Sequence, residues 1–169
     1  LLELFYRLST LLGQKRGFRY ELEKKFPYLQ GLLDYVENNS ENVDRSLLLF
    51  YKVFMLDYKR EEKAYHDLKE IAVKEYKDIP PETRKHIFLA LVDVGYEIAV
   101  RGNRELYKEL FEYFSFFAEK YEEIFGDEYL DHSRYFYITA PALHLKKFEW
   151  AKNFIDNFKE KLPPVQEDY

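Results

Sequence analysis

Apolar residues recur every three or four positions along almost the whole chain, the spacing that gives a helix one buried face. Tyr65, Leu68, Ile71 and Ala72 follow it, and so do Leu106, Leu110, Tyr113, Phe114, Phe117 and Tyr121. Strict alternation over several residues, which marks a half-buried strand, does not occur. Leucine, with 23 residues, prevails over the β-branched types, in keeping with helix propensity.

Polar breaks divide the pattern at regular intervals. Gly13 and Gly17 flank a turn, residues 38–42 (Asn-Asn-Ser-Glu-Asn) make a clear break, and residues 59–62 (Lys-Arg-Glu-Glu) form a charged corner. Pro80-Pro81 interrupts, and Pro81 suits the first turn of the next helix. Gly102-Asn103 reads as a terminating glycine followed by an N-cap, and Gly126-Asp127 repeats that grammar. Pro163-Pro164 closes the last helix. The pattern predicts helices near 1–12, 17–37, 43–58, 61–77, 81–101, 103–124, 128–146 and 148–162. Pro27 should kink or split the second and Pro141 the seventh. Residues 87–100 are apolar nearly all round, so this helix is expected to be buried on more than one side. Gly95 would let a neighbour approach closely there, and Thr139-Ala140-Pro141-Ala142 offers a second crossing point of small residues.

The helices repeat. Tyr20 stands 45 residues before Tyr65, Tyr107 follows Tyr65 by 42, and Ala151 follows Tyr107 by 44. Each of these residues opens the second helix of a hairpin. One hairpin cannot bury its own apolar stripe, whereas stacked hairpins share a continuous core. The expected fold is therefore all-α: an α-α superhelix, a right-handed solenoid of about four antiparallel hairpins with a repeat near 44 residues. The alternative is a non-repetitive bundle with helices of similar length. The 169 residues suit one domain. A chain that begins with Leu1, mid-pattern, reads as a piece of a longer protein.

Within 135–163 the residues resemble a degenerate tetratricopeptide repeat. Tyr135, Ile138 and Thr139 take the large, leucine-like and small positions of its first helix; Ala151, Ile155 and Phe158 fit the second, and Pro163 the closing proline. Thr139 stands where glycine or alanine is usual, and Phe158 where alanine is usual. The run from Leu143 to Ile155 also resembles repeats of uncharacterised helical-repeat proteins of Bacteroidetes-type bacteria. The likeness extends over about the last 130 residues and implies a protein-binding scaffold and no chemistry.

Composition narrows the chemistry. Cysteine is absent, which excludes disulfides, thiolate zinc sites and cysteine nucleophiles. The net charge of −5 disfavours nucleic acid. The one basic cluster, Lys15-Arg16, Arg19 and Lys24-Lys25, is interleaved with Glu21 and Glu23 and reads as a solvated face. No run reaches the length of a membrane helix, and the start lacks the marks of a secretory signal. Asp93 and Glu97 lie four apart in the most apolar stretch, where paired carboxylates could raise one pKa. A simpler role for Glu97 is pairing with Arg101. His66, His86, His132 and His144 form no His-x-x-x-His pair, and His132 with Asp131 and Glu128 is better explained as a helix start than as a metal site. Neither a hydrolase elbow nor a phosphate loop occurs. No catalytic, cofactor or metal site is expected.

The unusual quantity is 19% aromatic residues. Tyr51, Tyr58, Tyr96, Tyr135 and Tyr137 fall on first helices of hairpins, the helices that line the concave face of tetratricopeptide-like stacks, and His144 shares that position. Tyrosine offers large contact area, a polar tip and low entropic cost, so these six residues are the candidate partner-binding set. Two or three of the five tyrosines are expected to stand exposed, because most aromatics must fill the core. The expected function is a cytoplasmic protein–protein interaction scaffold, not an enzyme, that takes a peptide or partner protein. A structural or self-associating spacer is the alternative, with a nucleic-acid-binding repeat behind it.

Overall fold

The computed structural model describes residues 2–14, 22, 24–126 and 129–162. The turn at Gly17, the Tyr20 start of the first repeat, Asp127 and the Pro163-Pro164 stop lie outside them. Among the described residues there are helices and turns but no strands. The chain divides into two compact units, Leu1–Val94 and Gly95–Tyr169.

The first unit contains α1 (Leu2–Gln14), α2 (Leu29–Asn38), α3 (Arg45–Lys59), α4 (Glu62–Lys74) and the first part of α5 (Pro81–Val100). Pro27 does split the second predicted helix: residues 26–28 form a turn, and α2 starts only at Leu29. The missing proline amide makes this the natural place to stop. Asp44 caps α3, its carboxylate accepting from the amides of Ser46 and Leu47 at 2.9 and 3.2 Å. The charged corner turns at Arg60, which takes the left-handed conformation with φ 54°. Pro81 is the first residue of α5. In the first turn of that helix, the buried Arg84 donates to the carbonyls of Ile79 and Lys77 at 2.7 and 3.3 Å and lies 4.2 Å over the Tyr76 ring. That guanidinium ties the double-proline corner to the helix it starts. α3 packs against α1, α2 and α4. Their core joins Phe5, Leu8, Leu33, Val36, Tyr51 and Phe54.

The second unit contains the end of α5, α6 (Leu106–Ala118), α7 (Tyr121–Phe125), α8 (His132–His144) and α9 (Phe148–Phe158). Gly102, at φ 137°, ends α5 as its position suggests. The next helix does not start at Asn103, however: residues 103–105 make a turn, and Leu106, whose amide donates to the Asn103 carbonyl, is its first residue. The single helix predicted over 103–124 is broken at Glu119-Lys120, and beyond the break Tyr121, Ile124 and Phe125 are buried. Asp131 caps α8 through the Arg134 amide at 3.0 Å. The helix continues through Pro141 and ends three residues later. Thr139, buried one turn before that end, satisfies its hydroxyl by donating to the carbonyls of Tyr135 and Phe136. α8 packs against α6 and α9. A chain of rings fills this unit, from Phe111 to Trp150 to Phe154, then to Phe158 and Tyr121.

Candidate functional site

Four rings of the second unit form two stacked pairs along one side of α8. Tyr96, near the end of α5, lies parallel to Tyr137 with centroids 4.4 Å apart. Tyr107, at the start of α6, lies parallel to His144 at 4.0 Å. Tyr137 and His144 are seven residues apart, so they share a helix face two turns apart. Phe136, 53% exposed, meets Tyr96 edge-on at 5.8 Å and extends the ladder outward. Tyr107 is buried, Tyr96 and Tyr137 are half-buried, and His144 is exposed. Burial, then the nearby Tyr107 and Tyr137 hydroxyls, push the Tyr96 hydroxyl above the ordinary tyrosine range. The Tyr96 rung is therefore neutral at physiological pH, and the four rings pack face to face in pairs.

Pro141 lies in α8 one turn beyond Tyr137. It has no amide to give to the carbonyl of Tyr137, four residues earlier, so that carbonyl is released from the helical ladder at a rung of the aromatic one.

The six residues singled out by sequence separate into two groups. Tyr96, Tyr137 and His144 come together in the ladder. Tyr51, Tyr58 and Tyr135 do not. Tyr51 is a core residue of the first unit, edge-on to Phe5, with its hydroxyl pushed up to about 12 by burial and by Glu37 and Asp34. Tyr58 is half-buried and stacked on Phe54. Tyr135 leans on Phe154 and donates to the Ile155 carbonyl at 3.2 Å, which fastens α8 to α9. Burial, then the Asp156 carboxylate, raise its hydroxyl. So one of the five tyrosines is buried, the other four are half-buried, and none is fully exposed.

Tyr107 and Phe136 were not in that set. Tyr107 opens a second helix, where Tyr65 is buried in the first unit, and position alone gave no reason to separate the two. The i, i+7 pair Tyr137 and His144 was the available signal.

Glu97 pairs with Arg101, the simpler of its two readings. His66 faces Glu62 at 3.4 Å and His86 faces Glu82 at 3.2 Å, each one turn away on its own helix. Among the described residues no group of three His, Asp or Glu side chains could hold a metal ion, and no helix is long and apolar enough to cross a membrane. Glu128 of the His132 group and Lys15, Arg16 and Arg19 of the basic cluster lie outside the described residues. Comparison with protein-family models, curated proteins and solved structures finds no match to this chain.

Proposed function

We propose that this chain is a non-enzymatic protein-interaction scaffold, a tetratricopeptide-like stack of helical hairpins, and that the aromatic ladder of its second unit is the binding surface. The ladder carries this reading. Stacked rings that carry polar atoms give a rigid surface that loses little entropy on binding, and such rings dominate binding energy at protein interfaces. The order of helix packing is compatible with a stack: α1 meets α3, α3 meets α4, α6 meets α8 and α8 meets α9. An extended peptide or a partner helix suits the side of α8. A cytoplasmic location fits a chain without cysteine.

The test is capture from the source lysate on the immobilised chain, with and without nuclease. Protein partners that survive nuclease and disappear with Tyr96→Ala/Tyr137→Ala support the reading. Partners retained by that variant would remove the ladder from the interface, and material released by nuclease would move the assignment to nucleic acid. A structural spacer without a dedicated ligand is the second reading, and it expects an empty capture.

A further inference from the structure

Two segments of the chain carry charge of one sign only. Residues 26–44 contain Asp34, Glu37, Glu41 and Asp44 and no lysine, arginine or histidine. Residues 132–148 contain Arg134, Lys146 and Lys147, with His132 and His144, and no carboxylate.

The acidic segment is a surface with a hollow at its foot. Asp34, Glu37 and Glu41 are exposed, and so are the rings of Tyr28 and Tyr35, at 87% and 54%. Gln30 donates to Asp34, and Asp44 is used in capping α3. The negative field of Asp34 and Glu37 is felt as far as the Tyr51 hydroxyl. At the start of α2 an apolar pocket of about 430 Å³ opens between Leu4 and Leu8 of α1 and Phe26, Pro27 and Leu32, with Lys25 also on its wall.

The basic segment ends in a projecting corner. The Lys147 amide donates to the Ala142 carbonyl at 2.8 Å while Lys146 adopts φ 57°, so α8 stops sharply. Lys146 and Lys147 are exposed, and Phe148, the next residue, is 60% exposed. Arg134 pairs with Asp131 at the far end of the helix. Tyr107, stacked on His144, brings the exposed Arg104 and Lys108 to the same end, with Glu105 between them; Glu149 follows Phe148.

The two features are complementary. One has an apolar knob beside two lysines, and the other an apolar pocket whose helix carries two carboxylates within five residues of its wall. We propose that the partner of this corner is a second copy of the chain: Phe148 of one copy enters the pocket at the foot of α2 of the next, and Lys146 and Lys147 face Asp34 and Glu37. The inference rests on the reading of the second unit as a protein-binding surface. The contact is heterologous, since its two halves are different patches. Each added copy brings one pocket and one corner, and association proceeds head to tail, into a ring or an open chain. The net charge of −5 on every copy opposes it, so the contact is weak and depends on salt.

Sedimentation velocity of the full chain, over a range of concentrations at low and high salt, tests this. At low salt the average mass is expected to climb past twice the monomer mass of 20.6 kDa. High salt returns it toward the monomer. Lys146→Glu/Lys147→Glu and, separately, Asp34→Lys/Glu37→Lys each weaken association about tenfold or more. An equimolar mixture of these two variants restores it, since each reversed patch then meets its complement; Phe148→Ala weakens it with the charges intact. A wild-type chain that stays monomeric at every concentration overturns the proposal. So does association that neither reversal alters, or a mixture that does not recover. Tyr96→Ala/Tyr137→Ala leaves self-association in place, so failure here and failure of the ladder as a binding surface are read from different variants.

Discussion

Tyr51 and Tyr137 occupy comparable places, each on the first helix of a hairpin, and they meet opposite fates. Tyr51 is buried among Phe5 and Phe54, whereas Tyr137 is half-exposed in a stack. The helices around them differ. α3 packs against α1, α2 and α4, and α8 against α6 and α9. Tyr51 meets Phe5 of α1 edge-on inside a core that α2 also lines, whereas Tyr137 lies face to face with Tyr96 of α5 and stays half-exposed. An aromatic residue at helical spacing thus becomes core or surface according to what the neighbouring helices lay over it.

The sharpest way to break this contrast is to empty one position in each unit. Phe54 is fully buried and touches the rings of Phe5 and Tyr58. Phe54→Ala should cost about 3–5 kcal/mol, because a cavity remains where the ring was. Phe136→Ala, on the exposed edge of the ladder, should stay within about 0.5 kcal/mol. Urea denaturation monitored by circular dichroism measures both. Similar losses at the two positions would mean that Phe136 is as much a core residue as Phe54.

Alkaline titration separates the units by a different property. The Tyr51 hydroxyl is raised from about 10 to about 12 in the folded state, chiefly by burial and then by Glu37 and Asp34. Between those values the unfolded chain releases its proton while the folded chain retains it. Stability is thus undiminished below pH 10 and declines as pH rises towards 12. Tyr51→Phe should flatten that decline in denaturation midpoints measured across the window. An unchanged slope would place the alkaline sensitivity in other tyrosines.

The class of structure was legible because its signals are local. Helical spacing, the break at Pro27, Pro81 at a helix start and Gly102 at a helix end each depend on a few adjacent residues. The differences lie at two helix boundaries. Asn103 looks like a cap but lies in a turn ahead of α6, and the predicted long helix breaks at Lys120, beyond which Tyr121 joins the ring chain through Phe158. The site was half legible. A first-helix rule picked Tyr96, Tyr137 and His144, but it could not separate them from Tyr51, because cover by a neighbouring helix is not written in either segment. Tyr107 stayed hidden because it opens a second helix as Tyr65 does, and position alone does not separate the two.

Removing rungs should cost the second unit little stability and much binding. The parallel pair Tyr96 and Tyr137 is worth about 0.5–1.5 kcal/mol beyond simple burial, and both rings are half-exposed. Tyr137→Ala should therefore lower stability by far less than Phe54→Ala while abolishing capture of the partner. A loss as large as that at Phe54 would show that the ladder holds the unit together.

The smallest effect concerns the two corners held by basic residues in the left-handed conformation, Arg60 in the first unit and Lys146 in the second. A non-glycine residue there costs about 1–2 kcal/mol relative to the right-handed region. Glycine removes that cost but gives the unfolded chain more freedom, roughly 0.5–1 kcal/mol. Lys146→Gly should stabilise by a few tenths of a kcal/mol to about 1 kcal/mol on that difference. Arg60→Gly should gain less, because the Arg60 guanidinium also donates to the Asp57 carbonyl at 3.2 Å, and the glycine forfeits that bond. Thermal denaturation of the two variants side by side tests the difference. A larger gain at Arg60 would mean that its hydrogen bond adds nothing, and that backbone strain alone sets the stability of both corners.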